Sequence, residues 1–203
     1  MAIKTLKHVD PFDSAQERGQ AGVLGMWLFI VVVAMIFIGC ILGYLVVRLD
    51  RPPGQAWMPA QDPGLPKALL VSTAMLLISS WTVQAAVRAS RQGRSALAHH
   101  ALGWTMVFAG VFLVVQTFAW FELWRRDLTI DSGLYAWTFY VLTGVHALHV
   151  LGGIPPLLVT YVRSARGAYT PAHNAGLVCC AMYWHALDVI WLALYATLWL
   201  GSR

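Results

Sequence analysis

The sequence predicts an all-α, polytopic membrane protein: five transmembrane helices in a single membrane domain over residues 1–203, with the amino terminus in the cytoplasm. Three observations carry this. The chain is 59% hydrophobic and only 11% charged, which is more apolar surface than a soluble core of 203 residues can hide. Its apolar residues collect into five segments, each longer than the roughly 20 residues that a bilayer crossing requires. Finally, Lys and Arg divide unevenly between the loops, eight on the side of the amino-terminal tail and six on the other, and basic residues favour the cytoplasmic side. These basic residues are dispersed over short loops, so no patch suited to nucleic acid forms.

Residues 1–21 carry Asp10, Asp13, Glu17 and Arg18 without an apolar run, and read as a cytoplasmic tail rather than a cleaved signal peptide. The first helix is expected over 22–47, with Gly39 and Gly43 in a spacing that lets a second backbone approach. A proline-rich connection follows, with Pro52, Pro53, Pro59 and Pro63. The second helix, over 66–87, holds Ser72, Thr73, Ser79, Ser80, Thr82 and Gln84, which can bond back to their own helix or across to a neighbour. The third, over 98–124, starts at an interfacial His99-His100 pair, contains Gln116, and ends in the aromatic cluster Phe118, Trp120, Phe121 and Trp124. The fourth, over 134–162, contains His146 and His149, then Gly152-Gly153 and Pro155-Pro156, where a kink is expected. The fifth, over 174–200, contains His185 and Asp188. Cys40, Cys179 and Cys180 all lie within apolar segments and read as packing residues, not as a disulfide or zinc set.

His146 with His149, and His185 with Asp188, are each three residues apart and so share a helical face. A carboxylate at mid-membrane depth costs roughly 2.5–3.5 kcal/mol on the insertion scale, so Asp188 must face inward. Short hairpin connections make the fourth and fifth helices antiparallel neighbours, with His149 and Asp188 at nearly equal depth. Asp188 is therefore expected to be satisfied by His149 or His146. Three chemistries suit the four residues. They could ligate a metal, as facing pairs in helical bundles do. They could relay protons, although with a single acid. Or they could form an interhelical hydrogen-bond network, the reading that the residue types favour.

The runs Asp131-Ser132-Gly133, Gly144-Val145-His146-Ala147-Leu148-His149-Val150 and Tyr183-Trp184-His185-Ala186-Leu187-Asp188-Val189-Ile190-Trp191-Leu192 closely resemble subunit III of the haem-copper terminal oxidases, as do Trp27-Leu28-Phe29 and the Gln116 region. The resemblance covers nearly the whole chain and fits the shorter, five-helix bacterial form. It implies a non-catalytic subunit of the bacterial inner membrane, with no haem, copper or other metal of its own. Such a subunit packs on catalytic subunit I, beside subunit II, and supports proton uptake coupled to oxygen reduction. It also implies phospholipid held in a cleft between the first two helices and the rest, with Arg163, and Arg166 nearby, at lipid phosphate. Three carboxylates usual in the family are replaced here, at Val32-Val33, Ala119 and Val178. That departure leaves open a subunit-III-like accessory protein of nitric oxide reductases, and the histidine pairs leave open a self-standing membrane metalloprotein with histidine ligands. Neither the electron donor, cytochrome c or quinol, nor the complex served is written in this chain.

Overall fold

The computed structural model describes residues 15–50, Trp57 and 65–202. The tail residues Lys4, Lys7, Asp10 and Asp13, the four loop prolines, Arg51 and Arg203 lie outside the described residues. Five helices follow in chain order: α1 (Ala15–Leu49), α2 (Ala68–Arg91), α3 (Ser95–Arg125), α4 (Leu134–Ala165) and α5 (Ala175–Gly201). All five are long and apolar enough to cross a membrane, and the fold is an all-α, multi-pass one.

Helix α1 begins seven residues before the apolar pattern does, at Ala15 rather than residue 22. Hydropathy marks only the hydrocarbon crossing, whereas Glu17 in the first turn suits the positive end of the helix dipole and lets the helix run on into water. At 1.5 Å per residue its 35 residues extend about 50 Å, well beyond a hydrocarbon core of about 30 Å. Helices α2, α3 and α4 end in the same way. A residue in the left-handed region follows each (Gly93, Asp127 and Gly167), and the next amide bonds back to a carbonyl five residues earlier. These bonds are Arg94 N to Ala89 O at 2.9 Å, Leu128 N to Leu123 O at 3.1 Å and Ala168 N to Arg163 O at 3.1 Å. Such a stop satisfies carbonyls that the helix would otherwise leave bare. Helix α4 runs unbroken through Pro155 and Pro156. Just beyond them, the Thr160 hydroxyl donates to Pro156 O at 2.7 Å.

Helix α5 is the hub of the bundle: it packs on α1, α2 and α4, while α2 and α3 form a closely packed hairpin. Half of its most apolar stretch is buried, against 17% for α1. Two indoles on one stripe of α5 tie it to α2. Trp184 Nε1 donates to Ser79 Oγ at 2.9 Å and Trp191 Nε1 to Thr73 Oγ1 at 2.9 Å. Each hydroxyl in turn donates to its own helix, Ser79 to Leu76 O and Thr73 to Leu69 O, both at 2.7 Å. The arrangement recurs between α3 and α4, where Trp120 Nε1 donates to Thr143 Oγ1 at 3.0 Å and Thr143 to Phe139 O at 2.7 Å. A hydroxyl has one proton and two lone pairs, so back-bonding and cross-linking are compatible.

These bonds reverse one expectation. The cleft implied by resemblance would set the first two helices apart from the rest, but here α2 is bound into the bundle through α3 and α5. Among the described residues, α1 packs on α5 and α4 and not on α2 or α3. The groove of this chain therefore lies between α1 and the α4–α5 pair.

Candidate functional site: a divided polar core and a groove beside it

The four polar residues expected to form one network occupy three environments. His146 is fully buried among aromatic rings, 4.8 Å from Trp191, 5.8 Å from Phe112 and 6.0 Å from Phe37 between centroids. Neither of its ring nitrogens has a hydrogen-bond partner among the described residues. One turn on, His149 turns back on its own helix and contacts Val145 O through Nδ1 at 2.8 Å. A carbonyl only accepts, so this nitrogen carries the proton. His149 also stands 5.0 Å from the Phe37 ring, facing α1.

Asp188 is 4% exposed, and neither carboxylate oxygen makes a hydrogen bond among the described residues. Its nearest basic atom is Nδ1 of His185, 3.9 Å from Oδ2 and on the same helix. The expectation that His149 or His146 satisfies Asp188 is thus corrected. Equal depth is not contact: Trp184, Asp188 and Trp191 recur at i, i+4 and i+7, the two indole N–H groups of that stripe reach α2, and the Trp191 ring, not Asp188, meets His146. His185 also faces α2, with Nδ1 2.6 Å from Ser80 Oγ and Nε2 3.1 Å from Gln84 Oε1. The amide oxygen accepts from Nε2–H, leaving Nδ1 to accept the Ser80 proton. The two histidine-bearing pairs diverge, and no three His, Cys, Asp or Glu side chains converge among the described residues.

Reading the sequence for charged and titratable groups misses the other half of this core, namely Trp184, Trp191 and Trp120 with their hydroxyl partners. The signal was present: indoles at mid-segment, away from the headgroup belts, need an acceptor in an adjacent helix.

Beside the polar core, a cavity of about 710 Å³ opens between α1 and the α4–α5 pair. Met26 and Phe29 of α1, Gly152 and Thr160 of α4, and Cys179 and Tyr183 of α5 line it, with Arg163 also on its wall. A wider cavity of about 1350 Å³ continues from Arg163 past Arg18, His173 and Asn174. Arg163 borders both; Arg166 is exposed and borders neither. Of the positions where carboxylates are replaced, Val33 and Ala119 are core residues and Val178 lines the wider cavity.

Comparison with known proteins adds an independent line. The family model described as cytochrome c oxidase subunit III matches residues 14–202. The chain is 30% identical over 187 residues to the cytochrome c oxidase subunit 3 of Corynebacterium diphtheriae, covering 92% of this chain and 91% of that one. It is 34% identical to the protein of the same name from Gadus morhua and 35% to that from Gallus gallus, in each case over 88% of this chain and 69% of the longer relative.

Proposed function

Because this chain belongs to the cytochrome c oxidase subunit III family, as a multi-pass protein of the inner membrane, we propose that it acts as a lipid-holding, non-catalytic partner of the oxygen-reducing subunits. The family membership favours this reading over a nitric oxide reductase accessory protein or a self-standing metalloprotein. In the proposed assembly, the chain packs on subunit I beside subunit II, and those partners carry the haem and copper. Its contribution to proton uptake is indirect, through the order of the lipid and protein around the catalytic subunit. Asp188, the one acid at mid-helix depth, is buried, and among the described residues no second carboxylate stands beside it to take a proton.

The observation that carries the lipid role is the position of Arg163. An apolar slot between α1 and the α4–α5 pair ends at a guanidinium, so acyl chains can lie along the slot while a phosphate meets the charge. Arg166, exposed nearby, adds to the field at the same membrane surface. The test is lipid analysis of the purified complex. Arg163→Ala is expected to lower bound anionic phospholipid about fivefold, from roughly 1 kcal/mol per basic residue near a membrane surface. Arg166→Ala is expected to have a smaller effect. Unchanged lipid in Arg163→Ala would contradict the assignment.

A further inference from the structure

The family reading leaves open which face of the bundle meets the partner, and the polar residues of α2 and α5 choose one. Ser80 is at the middle of α2, and His185 and Asp188 are at or near the middle of α5, so this cluster sits at the depth of the bilayer centre. It is not enclosed. The His185 side chain is 38% exposed, Ser80 and Gln84 are only half-buried, and the neighbouring Trp81 and Val189 are 71% and 67% exposed. Gln84 gives its carbonyl oxygen to His185, and its amide nitrogen has no partner among the described residues.

Acyl chains offer such groups nothing. Hydrocarbon cannot accept a hydrogen bond, and phospholipid headgroups lie some 15 Å from the bilayer centre, still about two helical turns beyond Gln84. A small hydrogen-bonding ligand would need a pocket to hold it, and neither cavity described above reaches Ser80, Gln84 or His185. The outward surface of α1 carries no such polar cluster at its middle: its large exposed side chains there are Leu, Val, Ile, Met, Trp and Phe.

We propose that the α2–α5 face centred on Gln84 and His185 is the docking surface for a transmembrane helix of the partner subunit, and that this helix presents a hydrogen-bond acceptor to Gln84, about one helical turn from mid-bilayer depth. The inference rests on the oxidase-subunit reading. It adds which side of the molecule is protein-covered and what chemistry the partner brings. Exposed Trp81 and Val189 flank the polar centre and supply apolar contact around it, while Ser80 and Gln84 orient the imidazole through its two ring nitrogens.

The test uses the intact complex in native membranes. A photo-crosslinking amino acid replaces Val189 or, separately, Trp81, with Leu148 (67% exposed, at the α4 side of the groove) as the control. The probes at 189 and 81 are expected to couple to an integral-membrane subunit, and the probe at 148 to lipid. Gln84→Leu should weaken retention of the partner about threefold, matching the roughly 0.6 kcal/mol average of an interhelical hydrogen bond. If the complex purifies intact yet the probes at 189 and 81 label only lipid or a small quinone-like molecule, the docking assignment is overturned while the family reading stands. If no other subunit purifies with the chain at all, both fall together.

Discussion

Single side chains decide how this bundle closes. The pairing of Trp184 with Ser79 joins an indole donor to a hydroxyl that has already given its proton to Leu76 O, so each partner is useful only with the other. A double-mutant cycle on Trp184→Phe and Ser79→Ala, read as thermal stability in detergent, should show coupling of about 0.6 kcal/mol and at most about 1.7. Additive effects would mean that the bond contributes nothing. Gly153 is a second point of closure. A Cβ there would meet Tyr183 Cε1 at 2.9 Å and Trp184 Cζ3 at 3.1 Å, both rings held in the α4–α5 contact. Gly153→Val should therefore lower stability by about 1–3 kcal/mol. The same change at Gly152 or Gly144, where nothing lies within 4 Å of the added atom, should leave stability nearly unchanged. At this scale the sequence showed which residues were polar and buried but not where they pointed. His149 and Asp188 could be placed at nearly one depth from spacing alone. Their azimuths were set by Trp184 and Trp191, whose role depends on Ser79 and Thr73 more than a hundred residues away.

At the scale of elements, the helices were legible because apolar length is a strong signal, and their ends were less so. The pattern stopped at residue 22 while α1 continued to Ala15, and it stopped at 162 while α4 reached Ala165, because charged residues extend helices outside the hydrocarbon without interrupting them. Partner choice between helices was not legible. The hydroxyls of α2 turned out to bond both to their own helix and to α5, which binds α2 into the bundle and leaves α1 standing at its edge. The far end of α1 is held where Tyr44 passes over Gly201 and the Arg48 guanidinium donates to Leu200 O at 3.1 Å. A side chain at Gly201 would occupy the position of the Tyr44 hydroxyl. Gly201→Leu is thus expected to speed amide hydrogen exchange in the carboxyl-terminal half of α1, with the α2–α3 hairpin unaffected. Equal acceleration in both regions would show that α1 is not a separately attached element.

For the molecule as a whole, the five spans and the family were within reach of the sequence, since both follow from long segments and from motifs that stand close together in the chain. Orientation rests on the count of Lys and Arg alone. Labelling of a cysteine placed at Arg94 by an impermeant reagent should occur only in inverted vesicles, and labelling in right-side-out vesicles would reverse the assignment. The groove and the half-exposed polar face sit on different sides of α5, one reached through α1 and α4 and the other through α2. One molecule can then hold lipid on one side and a protein partner on the other. That division is the core of the account: the chain organises its surroundings and leaves electron transfer to its neighbours. The most direct measurement is the haem and metal content of the complex, purified through a tag on this chain, before and after the partner subunits are stripped by harsher detergent. The account predicts that haem absorbance and copper leave entirely with the partners while this chain remains helical and colourless. Stoichiometric haem or transition metal staying with the isolated chain would contradict it.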